Sequence, residues 1–126
     1  MKKIGMAALA GALALAGATS AHAGSKVMVT APAMHIYPQL QTMYCDIVNV
    51  GKVPASVTVE VVDYFGNVTA GPLQQTLPPF NGTALGDSGN DQGAFCRFTV
   101  SGSTKSFRAM AIYDNNSVYT VAVPAQ

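Results

Sequence analysis

The sequence predicts an all-β domain: an antiparallel two-sheet sandwich of seven to eight short strands with one disulfide. Three observations carry this. Beyond residue 23 the chain holds 14 Val and 9 Thr but only 4 Leu, and β-branched side chains lose χ1 freedom in a helix while packing well on a pleated surface. No window sustains an i, i+3, i+4, i+7 apolar stripe; short alternating runs recur instead, split by turn residues. The two cysteines, Cys45 and Cys96, fall in two of those runs, on the side of their apolar neighbours. That placement suits a bond pinning two sheets through the core.

The runs follow in order. Lys26–Thr30 is the first, with Met34–Tyr37 a candidate continuation beyond the break at Pro32. Thr42–Val50 is the second, with Met43, Cys45 and Ile47 on one face and Tyr44, Asp46 and Val48 on the other. Asn49 to Pro54 makes a turn. Ala55–Phe65 is the clearest strand: Val57, Val59 and Val61 point one way, Thr58 and Glu60 the other, and Val62 breaks the alternation as a bulge would. Gly66-Asn67 turns the chain into Gly71–Leu77, a polar run expected at a sheet edge and ended by Pro78-Pro79. Thr83–Leu85 is expected to be a short strand at best, and Gly86–Gly93 a flexible loop. Ala94–Val100 puts Ala94, Cys96, Phe98 and Val100 on one side. Ser101–Thr104 is read as a hairpin turn into Ser106–Tyr113, where Phe107, Ala109 and Ala111 oppose Arg108 and Met110. Asp114-Asn115-Asn116 suits a tight turn, and Ser117–Val123 is the last strand. No internal repeat is evident.

Residues 1–23 stand apart. Met1-Lys2-Lys3 is a short basic start, Ile4–Ala18 an Ala/Leu/Gly run without charge, and Ala21-His22-Ala23 a small-x-small site. Together they predict a bacterial-type secretory signal peptide, too short for a spanning anchor. Leu15-Ala16-Gly17 is followed by Ala18 rather than Cys, so no thiol is present for lipid attachment. Cleavage after Ala23 leaves residues 24–126 as one domain, expected in the periplasm or outside the cell. Loss of Lys2 and Lys3 turns the formal charge of +1 into −1. Nucleic-acid binding needs a basic stripe and is excluded, and no membrane span remains after the leader.

Two cysteines in an exported chain read as one disulfide. Their separation is far from the C-x-x-C spacing of redox-active pairs, so the bond is structural.

Cys45-Asp46-Ile47-Val48-Asn49-Val50-Gly51, Val57-Thr58-Val59-Glu60-Val61, Asp63-Tyr64-Phe65-Gly66 and Cys96-Arg97-Phe98 resemble small exported bacterial immunoglobulin-like β-sandwich proteins of unassigned function, over roughly residues 40–113. The resemblance implies an immunoglobulin-like sandwich and an exported location, and no activity. The chain departs from true immunoglobulin domains in having no Trp to pack beside the disulfide.

Chemistry has few footholds. A hydrolytic triad needs a base and a nucleophile, and the mature chain offers only His35, with no G-x-S-x-G motif. Asp46, Glu60, Asp63 and Asp114 lie on or beside different strands and read as solvated surface charge. Asp87, Asn90 and Asp91 resemble a calcium loop, but Gly89 occupies a ligand position and no distal Glu follows. Blue copper needs two His and a free Cys. Cleavage after Ala21 instead would make His22 the N-terminus, and His22 with His35 then form an alternative copper site, with Met28, Met34 and Met43 as soft ligands nearby. Arg97 and Arg108 are expected to face outward and to pair with Asp46 or Glu60. Tyr37, Tyr44, Tyr64, Tyr113 and Tyr119 suit binding faces, and Gly71–Leu77 is the candidate edge for a partner strand. The expected function is a non-enzymatic binding or structural module of the bacterial envelope or extracellular space, with no catalytic residues and no cofactor, meeting another envelope or extracellular protein. The alternative is a periplasmic copper-binding protein using an N-terminal histidine.

Overall fold

The computed structural model describes residues 24–32, 41–88, 93–115 and 118–126. They form eight strands: β1 (Ser25–Val29), β2 (Gln41–Asn49), β3 (Ala55–Asp63), β4 (Val68–Leu77), β5 (Gly82–Ser88), β6 (Ala94–Ser101), β7 (Phe107–Asn115) and β8 (Val118–Pro124). Two four-stranded sheets result, sheet I in the order β1-β6-β3-β4 and sheet II in the order β5-β2-β7-β8, with every pairing antiparallel. The fold is the expected antiparallel two-sheet sandwich, and its core is lined by the expected faces. Met43, Cys45 and Ile47 of β2, Val57, Val59 and Val61 of β3, Cys96, Phe98 and Val100 of β6, and Phe107, Ala109 and Ala111 of β7 are all buried. Phe98 and Phe107 are the largest fully buried side chains, so the aromatic bulk that Trp supplies elsewhere comes from phenylalanine here. Burying each such side chain contributes about 1.5–3 kcal/mol.

The disulfide joins Cys45 of β2 to Cys96 of β6, with a Cα–Cα distance of 5.5 Å. It therefore ties sheet II to sheet I, and both residues are fully buried. The outer strands sit differently from those of an immunoglobulin domain. There the first strand lies beside the second and the last beside the sixth. Here β1 pairs with β6, and β7 pairs with β2.

The edges formed by β4, β1 and β5 differ. β4 is an edge strand, as its polar composition predicts, but its ladder with β3 shifts register around Val61. Gly71, at φ +91°, precedes the cis-linked Pro72 within it. Val62 marks the same irregularity: it and Val61 are both buried, although they point to opposite faces. On the β1 side, Val29 and Gln126 exchange backbone hydrogen bonds, each of 3.1 Å, so the chain end covers part of that edge. The edge of β5 has no bulge and, among the described residues, no covering segment; its contact with β4 is made by the Asp87 side chain, which accepts from Thr69 Oγ1.

Several expectations need correction. β5 runs from Gly82 to Ser88 rather than Thr83–Leu85, fully registered against β2 from Val48 to Thr42. Gly86 to Ser88 are thus strand and not loop. Alternation there sets small residues (Gly82, Ala84, Gly86) against Thr83, Leu85 and Asp87, which hides the hydrophobic period. Ser101–Thr104 is not a hairpin turn. Gly102, at φ +86°, redirects the chain, and a 3₁₀ turn at Thr104–Ser106, capped by the Ser103 side chain, carries it across to the other sheet. β3 stops at Asp63 because the Asp63 carboxylate accepts the backbone amides of Phe65 and Asn67 and closes the turn. Met34–Tyr37 and residues 89–92 lie outside the described residues.

A Cβ at position 71 would sit 2.6 Å from the Val59 carbonyl oxygen in a left-handed backbone. Gly71→Ala is expected to cost about 2 kcal/mol or more in urea unfolding. Reduction of Cys45–Cys96 opens a loop with a sequence separation of 51, and the unfolding free energy is expected to fall by about 4 kcal/mol; an unchanged midpoint would deny the bond its structural role.

Candidate functional site

The carboxylates of the sequence do not converge. Glu60 sits on the outer face of sheet I, where its carboxylate accepts a 2.7 Å hydrogen bond from Arg97 Nε, its register partner on β6. Asp63 is spent in its turn: hydrogen bonds from the Asn67 backbone first, then from the Asn67 side chain, with Phe65 and Gly66 behind them, hold its carboxyl below the usual range. Thr69 Oγ1 of β4 donates to the Asp87 carboxylate at 2.6 Å. Among the described residues no three His, Cys, Asp or Glu side chains form a group that could hold a metal. Met28 and Met43, read as possible soft ligands, are core. His22, Met34, His35, Tyr37, Asn90 and Asp91 lie outside the described residues, as does the side chain of Tyr119. Of the other tyrosines, Tyr113 is buried and its hydroxyl reaches the Ala94 carbonyl at 3.4 Å, while Tyr64 is exposed.

Two places depart from what folding alone would choose. The first is one end of the sandwich, organised by Asn49. This residue is completely buried. Its Nδ2 donates to the carbonyls of Val53 (2.8 Å) and Leu77 (2.9 Å), and its Oδ1 accepts the Gly51 amide (2.8 Å). Its backbone N–H donates to the Asn81 carbonyl (2.9 Å) and its carbonyl accepts the Phe80 amide (2.7 Å). One residue thus ties the loop after β2 to the end of β4 through its side chain, and to the loop before β5 through its backbone. The Asn-x-Gly spacing was the available sequence signal, since an Asn oxygen commonly takes the amide two residues on.

The clamp presents Phe80. The Asn81 amide donates to the Pro78 carbonyl at 3.1 Å, closing a turn in which Pro79 and Phe80 are the central residues. Phe80 has φ +60°, and among the described residues it is the one non-glycine with positive φ. A turn with proline followed by positive φ ordinarily takes glycine at that second position. Phe80 is nevertheless aromatic and 79% exposed. Val53, whose carbonyl is on the same clamp, is 68% exposed. A bulky apolar side chain held outward on a costly backbone adds nothing to the core.

The second place is Asp46, on the outer face of sheet II. Its register partners are Ala84 on β5 and Met110 on β7, and the same face carries Tyr44, Val48 and Ile112. Gly86 lets the Tyr44 ring close over β5, since a Cβ there would stand 3.0 Å from the ring; Gly82 does the same for Val48, at 2.9 Å. Asp46 Oδ1 is shut off from water and has no hydrogen-bond partner. Burial pushes its carboxyl above the usual value. The arginines expected to serve it are engaged elsewhere: Arg97 holds Glu60, and Arg108 Nη1 donates to the carbonyls of Lys105 and Phe107.

Because the folded carboxyl binds its proton more tightly than the unfolded one, its charge costs stability above the folded pKa, and that cost vanishes below the unfolded value near 3.8. Asp46→Asn is therefore expected to raise the melting temperature at pH 7, with a gain of no more than about 1 kcal/mol because only one oxygen is shut off. The gain should fade as the pH is lowered through the carboxylate range; thermal melts of both proteins across that range check it.

Comparison of the chain with protein-family models, with curated proteins and with solved structures finds no match, so the geometry of these two places carries the functional argument.

Proposed function

We propose that this protein is an exported, non-enzymatic binding module of the bacterial envelope or extracellular space, and that it meets a protein partner through the end bearing Phe80. The observation that carries this is Phe80 itself, an exposed aromatic held at φ +60° where glycine would be cheaper. Aromatic side chains dominate the energetic centres of protein interfaces because they bury large area at little entropic cost. A clamp as rigid as Asn49 adds preorganisation, which lowers the ordering cost of association.

Export is supported by the leader-like residues 1–23 and by the disulfide, a bond that persists in oxidising compartments. Among the described residues no helix is long and apolar enough to cross a membrane. Intact mass of the exported protein is expected to begin at Gly24, two hydrogens light, with no copper adduct. A mass beginning at His22 with one copper retained would replace this reading with the copper-binding one.

Replacing Phe80 by a photo-crosslinking phenylalanine analogue in cells that export the full chain should yield an adduct with one envelope or extracellular protein. Phe80→Gly should lose that partner in a pull-down while gaining about 1 kcal/mol of stability in urea. A glycine variant that is less stable would show that Phe80 serves the fold, and absence of any adduct would overturn the module reading.

A further inference from the structure

β5 is an edge strand that leads directly out of the Phe80 turn. Natural edges are usually blunted by proline, by lysine, by a bulge or by a covering segment. β4 has Pro72 and a bulge, and β1 is partly covered by Gln126. β5, Gly-Thr-Ala-Leu-Gly-Asp-Ser, has no proline, no basic residue and an unbroken ladder to β2; its one charged side chain, Asp87, turns inward to Thr69 of β4 and leaves the backbone of the outer edge without a paired strand among the described residues. The outward positions of β5 are Gly82, Ala84 and Gly86, so no long side chain stands between that edge and the row formed by Val48, Asp46 and Tyr44. The middle of that row is the Asp46 carboxylate, which forms no ion pair among the described residues; its Oδ1 is closed off, so an arriving cation meets its other oxygen.

We infer that the edge of β5 accepts an extended segment of a partner protein as an added strand, and that a lysine or arginine of that segment, lying across Ala84, serves Asp46. Strands stack about 4.8 Å apart, so the added backbone lies about 10 Å from β2. A long basic side chain reaching inward and Asp46 reaching outward meet over Ala84, where only a methyl intervenes. Side chains two residues either side of the basic one fall over Gly86 and Gly82, against the Tyr44 ring and Val48. The segment chemistry is thus apolar–x–basic–x–apolar. Backbone hydrogen bonds supply affinity, and the alternate side chains supply specificity. The inference rests on the binding-module reading and names a second contact, continuous with Phe80, for the same partner. Arg108 and Asp114 are the other charged residues on the β7 part of this face. Arg108, beside Val48 in register, is engaged with backbone carbonyls; Asp114 lies opposite Thr42, two rows from Asp46.

The test uses the capped peptide Thr-Val-Thr-Lys-Thr-Val-Thr and its Glu-for-Lys counterpart, titrated into the isotope-labelled, disulfide-intact protein. The Lys peptide is expected to bind saturably, shifting the amides of Gly82 to Ser88 and of Asp46, and the Glu peptide to bind at least tenfold more weakly. Asp46→Asn should abolish the preference between the two peptides. Ala84→Lys, which supplies the cation from within, should block binding and raise the melting temperature. Equal binding of both peptides, a preference that survives Asp46→Asn, or no shift along β5 would each overturn the inference. Concentration-dependent shifts of the same amides without peptide would replace the partner segment by a second copy of this chain. A Phe80 adduct obtained alongside a failed titration would leave the module reading standing and remove the β5 contact alone; failure of both removes both.

Discussion

The bond between Cys45 and Cys96 joins the two strands on which both sheets are built. β6 carries β1 on one side and β3 on the other, and β4 hangs from β3; β2 carries β5 and β7, and β8 hangs from β7. With the sulfurs fully buried, the bond fixes the spacing of the two inner faces at their centre. The valines of β3 and the two phenylalanines then fill what is left. A domain of this size keeps only a small surplus of stability, so a crosslink closing a long loop is a large part of it.

Against that frame, the costs the molecule carries are local and few. Asn49 is a buried polar residue with every group satisfied, which makes it a clamp and not a liability. Phe80 and Asp46 differ from it. One adopts a backbone conformation meant for glycine, and the other keeps an oxygen from water without a donor. Both lie outside the core, at the end and on the face reached through β5. Costs that folding does not need are commonly placed where function does. Here they fall on two adjoining surfaces and not at random.

Legibility followed the strength of each signal. The inward faces of β2, β3, β6 and β7 were readable because period-two alternation of Val, Ile, Phe and Cys with polar residues admits one register of burial. The disulfide was readable from two cysteines in a chain with an export leader, and the edge position of β4 from its polar composition. β5 was not: glycine and alanine on its outer face leave too little contrast for alternation to show. The crossing at residues 102–106 was also hidden, since a short Gly/Ser/Thr segment is equally compatible with a hairpin. Of the two candidate places, Asp46 could be placed on the outer face, but its isolation could not be seen. That depends on Glu60 being the register partner of Arg97 and on Arg108 turning to carbonyls. Phe80 was hidden more deeply, because nothing in Pro-Pro-Phe-Asn reveals which residue takes the positive φ.

The position of β1 has a consequence in time. Ser25 pairs with Ser101 and Val29 with Arg97, so the first strand has no sheet partner until most of the chain exists. Pairings so distant in sequence form slowly, because loop closure must precede any reward. A chain emerging N-terminus first, from a ribosome or through a membrane, therefore holds its leading strand unpaired until Ala94–Ser101 has followed it. The same exchange of outer strands that sets this sandwich apart thus leaves Ser25–Val29 waiting through most of the chain's emergence.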